Sequence, residues 1–224
     1  TIACPSRGDD AAMMLRTLAA MARVDGRVCA FLEPIALYMT KDLYEPGDAL
    51  WSTPYPAPDQ ALEFGAERVY HGDATDLLIV TFGNGVPFAL RTAKAVETQT
   101  GKKTRVIDRR WLQPLNARAI ARHAGDCERI LVLDEGRRSA GIGEGVITAI
   151  VEGGHGAKPL VRVVGDVTYT PLAGAANLIK QIENVKAHGV TPVVAINGFP
   201  TDHKSEHEAI RKVAEAAALY PTLF

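Results

Sequence analysis

A chain of 224 residues, 47% apolar and 23% charged, is long enough to bury a core as one large domain or two small ones. Its formal net charge of −1 excludes electrostatic attraction as a driver of binding to nucleic acid or an anionic membrane. The longest apolar runs, at 77–82 and 190–196, are strand-sized and far short of a membrane span.

The segment 1–4 reads as a strand and 9–23 as a helix, with apolar Met14, Leu15, Leu18 and Met21 on one face and Asp9 or Asp10 as its cap. A buried strand is expected at 27–32. The texture then changes: residues 33–60 hold Pro34, Pro46, Pro54, Pro56 and Pro58 with Gly47 and Trp51, and no sustained period. Proline removes donors and biases its neighbours away from helix, so this is an extended connection of the kind that joins domains, its aromatics resting on a surface. Strands follow at 66–71, 77–82, 104–108, 130–134 and 160–164, with helices at 87–98, 117–124 and 143–151; Gly101 and Gly125 punctuate two of the helices. Such alternation is the pattern of parallel α/β layers. After Pro171 a helix at 175–187, a strand at 191–196 and a helix from Thr201-Asp202 through Ala218 form a βα unit with no strand partner of its own.

Cys4, Cys29 and Cys127 lie far apart without metal-ligand spacing, so they read as small hydrophobes in a reducing, cytoplasmic setting. The start, TIACP, has neither a basic n-region nor a long apolar stretch and does not begin with Met, as expected of a chain whose amino terminus is missing or processed. The loop 136–145 opens a helix after a strand, the geometry of an anion site. Its G-x-G-x-G spacing fails the dinucleotide fingerprint, however, and no Walker lysine follows, so a tight turn and subunit contact is the better reading. His203 and His207 stand one helical turn apart, but with no third ligand they read as a polar helix start rather than a metal site. Ser139 has no nucleophile-elbow context.

Three stretches carry a family resemblance: FLEP at 31–34 followed by Leu37-Tyr38; DLLIVTFG at 76–83 with VIDRRWLQPL at 106–115; and LVLDEGRRSAGIGEG at 131–145. In this order they resemble the beta portion of the thiamin-diphosphate-dependent decarboxylase component of 2-oxo-acid dehydrogenase complexes, of the branched-chain type. The resemblance covers residues 1–173. It implies an α/β fold with a three-layer transketolase C-terminal-like domain at 63–173. An incomplete pyrimidine-binding-domain tail at 1–32 would precede it, joined through an extended linker at 33–62. It implies thiamin diphosphate and Mg as cofactors. It also implies an alpha component, a second beta component and the acyltransferase core as partners, and a role in subunit assembly and docking. In that family the carboxylate that hydrogen-bonds the aminopyrimidine lies earlier than the position of Thr1, and the diphosphate and metal site lies on another domain or subunit. No catalytic residue is therefore assigned here; Glu33 and Asp42, the nearby acids, read as solvated or capping groups. A monovalent-cation loop of some relatives matches at Ala22 and Asp25, but Arg27 replaces their Asn and its fixed charge opposes a second cation.

Residues 174–224 resemble something else. NLIKQIENVK at 177–186 and VVAINGFPTD at 193–202 are similar to an internal segment of formate–tetrahydrofolate ligase, an enzyme of one-carbon metabolism that uses ATP and tetrahydrofolate. The resemblance implies that Phe199 and Pro200 line a folate pocket, and that 174–224 is a βα remnant of that ligase. No G-x-x-x-x-G-K-[ST] accompanies it, so neither active site is expected to be complete. The residues Ala175-Ala176-Asn177-Leu178, where the two resemblances meet, fit a crossover between two reading frames, natural or artefactual.

Overall fold

A strand sandwiched between helical layers shows no polar face to either, so it reads as an unbroken apolar run. LLIVT at 77–81 is such a run up to its last residue, Thr81, and in the computed structural model it forms the central strand of a five-stranded sheet. The structure describes residues 1–136 and 139–164, together with residues 179, 182–183, 186, 208 and 211–215. The chain divides into two compact units, Thr1–Gly165 and Asp166–Phe224.

The first unit runs β1 (Ile2–Ala3), α1 (Gly8–Val24), β2 (Ala30–Phe31), a 3-10 turn (Ile35–Leu37), β3 (Arg68–Tyr70), β4 (Leu77–Thr81), α2 (Gly85–Thr100) and β5 (Thr104–Asp108). It continues through β6 (Trp111–Gln113), α3 (Ala117–Asp126), β7 (Arg129–Asp134), α4 (Ile142–Ile150), a widened turn (Val151–His155) and β8 (Leu160–Val164). The main sheet has the order β3-β5-β4-β7-β8, with β3 antiparallel to β5 and every other pair parallel. The expected five strands and three helices of this region are all present.

Alternation along the strands divides the core into two layers. Leu78, Val80 and Ile107 point to one face, where they meet Ile120 and Ala124 of α3 and Val146 and Ile150 of α4. Ile79 and Val106 point to the other and meet Val86, Ala89, Leu90 and Ala93 of α2. Burying each such aliphatic side chain stabilises by about 1.5–3 kcal/mol. This is the three-layer arrangement that the resemblance implied. The proline-rich connection joins the α2 layer through Leu43 and Trp51. Arg16 of α1 also holds it by donating to the carbonyls of Ala57 and Gln60 at 2.5 and 2.6 Å.

Several boundaries differ from the sequence expectation. The strand expected at 27–32 shrinks to β2, which is not buried, and Val28 before it is 89% exposed. β2 is an edge of a second, three-stranded sheet ordered β2-β1-β6 and pairs only with β1. Neither Asp9 nor Asp10 caps α1; the cap position is Arg7, and the Thr53 hydroxyl accepts from the Asp9 amide at 3.1 Å. Gly101 does end α2, in the left-handed conformation at φ 70°. Gly125 does not end α3, which runs to Asp126; a Cβ there would lie 3.1 Å from the His155 ring, so its smallness serves packing. β6 was not anticipated.

In the second unit, Ile179, Ile182, Glu183 and Lys186 are helical, as are Glu208 and residues 211–215; all fall within the two helices expected there. Glu208 pairs with Arg211 at 3.8 Å. The strand expected at 191–196 lies outside the described residues, as do Phe199, Pro200, His203 and His207. Among the described residues no helix is long and apolar enough to cross a membrane.

Candidate functional site at the carboxyl edge of the sheet

In an open parallel sheet the connections leaving neighbouring strands can diverge to opposite faces, opening a crevice at the carboxyl edge. Here β4 leaves through α2 and β7 through α4, on opposite faces. Asn84 after β4 and Glu135 after β7 span the gap, Asn84 Nδ2 donating to Glu135 Oε2 at 3.0 Å. Burial pushes the Glu135 carboxyl up, opposed by that hydrogen bond.

The glycine-rich loop beside them is closed from within. Asp134, 1% exposed at the end of β7, accepts from the Gly136 and Gly143 amides at 2.8 and 2.6 Å. Glu144 accepts from the Ala140 amide at 2.9 Å. Three amides of the loop, those of Gly136, Ala140 and Gly143, are thus held by the chain's own carboxylates rather than offered to an anion. Gly143 is required sterically, since a Cβ there would lie 2.9 Å from Asp134 Oδ2. Asp134→Ala strips an acceptor from both amides and is expected to destabilise the first unit by about 2–3 kcal/mol, measured as a lower urea midpoint.

The segment between β1 and α1 lies across this edge. The Cys4 amide donates to the Arg110 carbonyl at 2.8 Å, and a Cβ on Gly83 would lie 3.2 Å from Cys4 Sγ. Ser6 Oγ donates to Asp108 Oδ2. Asp10, fully buried in the first turn of α1, accepts from Arg110 at 2.7 Å and Arg68 at 3.1 Å, while Asp9 takes Arg68 at 2.9 Å. Burial first, then the charges of Asp108 and Glu135, pushes the Cys4 thiol up to about 12, so this cysteine is the inert small hydrophobe expected of it. Burial likewise pushes Tyr70 up to about 12.

Residues 5–8 of the same segment form one wall of a cleft of about 640 Å³, faced by Glu33, Tyr38, Lys41 and Trp51. The Arg7 guanidinium stacks 4.9 Å from the Trp51 ring centroid. Glu33 accepts from the Tyr38 hydroxyl. Asp42 accepts from the Gly47 and Ala49 amides, both at 2.8 Å. Asp42 therefore caps a turn, while Glu33 is exposed and bonds only a side-chain hydroxyl among the described residues; the two fit the capping and the solvated reading respectively. Ala22 and Asp25 lie on the exposed last turn of α1 and beyond it, and Arg27 Nε sits 3.4 Å from Asp25.

Sequence reasoning missed a further buried network, because its members are separated by tens of residues. Arg105 Nη1 lies 3.0 Å from His123 Nδ1 and 2.8 Å from Asp126. Nε2 of the same ring lies 3.3 Å from Glu67 Oε1 and 3.4 Å from Arg122 Nη2, so the imidazole sits between two arginines and two carboxylates. Burial raises the Glu67 pKa, but the His123 hydrogen bond, its own backbone amide and Arg109 outweigh it and hold the carboxyl below its usual range. Among the described residues no three His, Cys, Asp or Glu side chains gather as a metal site. With the Gly136, Ala140 and Gly143 amides also engaged, the described residues do not fit a metal-bound diphosphate.

The chain belongs to the transketolase C-terminal domain family, whose model matches residues 66–187, more than half of it. The 3-methyl-2-oxobutanoate dehydrogenase subunit beta of Mycobacterium tuberculosis (strain H37Rv) is 31% identical over 172 aligned positions, covering 62% of this chain and 49% of that protein. A solved structure described as a split gene transketolase, inactive beta4 tetramer, shares the fold with a TM-score of 0.53 at 22% identity, over 73% of this chain and 47% of that one. A separate short segment is 73% identical over 44 residues to the formate–tetrahydrofolate ligase of Saccharopolyspora erythraea, covering 20% of this chain and 8% of that protein. The chain thus spans about half the length of the dehydrogenase relative and under a tenth of the ligase.

Proposed function

We propose that residues 1–173 act as the beta-type portion of a thiamin-diphosphate-dependent 2-oxo-acid dehydrogenase (decarboxylating) component, contributing subunit assembly and docking and inactive alone. The domains would be a pyrimidine-domain tail at 1–32, a linker at 33–62 and the transketolase C-terminal-like domain at 63–173. The observation that carries the assembly role is an apolar surface next to the cleft: Leu32, Ile35, Tyr38 and Met39 are 49–83% exposed around the 3-10 turn. Exposed large apolar side chains gathered in one short stretch support a protein contact there. An alpha component, a second beta component and the acyltransferase core are the partners the family likeness suggests. Thiamin diphosphate with Mg would supply carbanion stabilisation; residues of this chain would support the neighbours that hold it. A cation at Ala22 and Asp25 would have to displace Arg27 from Asp25. Mixing the chain with an alpha component, thiamin diphosphate and Mg is expected to give a complex on size-exclusion chromatography but no 2-oxo-acid decarboxylation. Turnover in that mixture would overturn the inactive part of the reading, and failure to associate would overturn the assembly part.

The second reading rests on the 73% identity of the ligase-like segment. We propose that residues 174–224 are a ligase remnant in a catalytically inert chimeric product, with Phe199 and Pro200 as the residues of its former folate pocket. Calorimetric titration with tetrahydrofolate and ATP is expected to give no binding heat. Micromolar folate binding would instead establish a working pocket, and sequencing the source DNA across 170–180 decides whether the join is natural.

A further inference from the structure

We infer that the proton on Asp108 latches residues 4–10 across the carboxyl edge of the sheet, so that this wall of the neighbouring cleft loosens as the pH rises. Asp108 ends β5 with no exposed surface and takes its hydrogen bond from Ser6, in the middle of the crossing segment. Its other oxygen, Oδ1, has no hydrogen-bond partner among the described residues.

The charged and titratable groups around it come from every adjoining element: Asp10 on α1, Arg68 and Tyr70 on β3, Arg109 and Arg110 after β5, and Cys4 on the segment itself. The three guanidiniums are already engaged by other carboxylates: Arg110 by Asp10 at 2.7 Å, Arg68 by Asp9 at 2.9 Å, and Arg109 by Glu67 at 3.2 Å. Asp108 is the buried carboxyl left with only a hydroxyl. A neutral acid tolerates that setting, whereas a carboxylate there is a buried charge held by one neutral donor.

Burial accordingly pushes Asp108 up to about 7 from 3.8; Ser6 opposes, Asp10 adds, and Arg110 and Arg68 oppose. A released Asp108 ionises near its ordinary value. Latching therefore takes up a proton between pH 3.8 and about 7. The contribution is fully present below that window and is lost as pH rises through it. The slope at its steepest is about a tenfold change in the latch equilibrium per pH unit. Because residues 5–8 wall the cleft, proton release and cleft shape are coupled.

Hydrogen exchange of the intact chain from pH 5 to 8.5, corrected for the intrinsic pH dependence of exchange, tests this. Protection of residues 4–10 should fall severalfold to a hundredfold with rising pH and flatten above about 7, while β4 and β7 stay constant. Asp108→Asn, a permanently neutral isostere, should remove the pH dependence. Unchanged protection in the wild type, or the same fall in D108N, overturns the latch. If D108N does not fold, the infrared band of a neutral carboxyl decides in the wild type. It should disappear with its midpoint at the pH where protection flattens; a band absent at pH 5, or a midpoint away from that pH, also overturns it.

Discussion

Replacing Asp10 by alanine is expected to lower the stability of the first unit by about 3–5 kcal/mol, with a fall in melting temperature on the order of 10 °C. Asp10 accepts from Arg110 at 2.7 Å and Arg68 at 3.1 Å with no exposure of its own. Arg68 keeps Asp9 when Asp10 is removed. Arg110 keeps only the Ala66 carbonyl, at 3.1–3.3 Å, and its side chain is 6% exposed. The cost is therefore chiefly that of a buried guanidinium left without its counter-ion. A double change, Asp10→Leu with Arg110→Met, removes both charges and should cost less than the sum of the two single changes. Urea denaturation followed by tryptophan fluorescence checks this, since Trp51 and Trp111 both lie in this unit. A single-mutant loss below 1 kcal/mol would mean that water or Asp9 takes over the Asp10 contacts.

Trp111→Ala is expected to have a similar effect, about 3–5 kcal/mol. Trp111 is 1% exposed at the start of β6 and packs with Ala3, Met14 and Leu18, joining the small sheet to α1. Phe64 meets it edge-on, with ring centroids 5.1 Å apart and planes at 77°. Its indole nitrogen has no partner among the described residues, so a purely apolar ring should serve nearly as well. Trp111→Phe should consequently cost less than about 2 kcal/mol. The pair of variants separates volume from polarity: equal losses in both would show that an indole hydrogen bond matters.

The layered core was legible because its signals are local. LLIVT is apolar at every position but its buried Thr81, and Gly101 supplies the left-handed end of α2. The motifs pointing to the transketolase C-terminal domain family were equally readable, since they are contiguous strings. What failed was everything set by partners distant in sequence. The segment 27–32 looked like a buried strand because its apolar residues say nothing of which edge of a sheet they occupy; Val28 lies in solvent. β6 is a short strand whose pairing with β1 spans more than a hundred residues.

The candidate site divides along the same line. Sequence by itself determined the family and the helix and strand periods, because each rests on contiguous strings of residues. Only the tertiary structure decided that Ser6 meets Asp108, that Asp10 takes Arg110 a hundred residues away, and that His123 lies between Arg105 and Glu67. Burial and charge pairing are properties of the assembled sheet edge. An aspartate at 108 reads as an ordinary surface acid until the fold removes its water and leaves it a single hydroxyl.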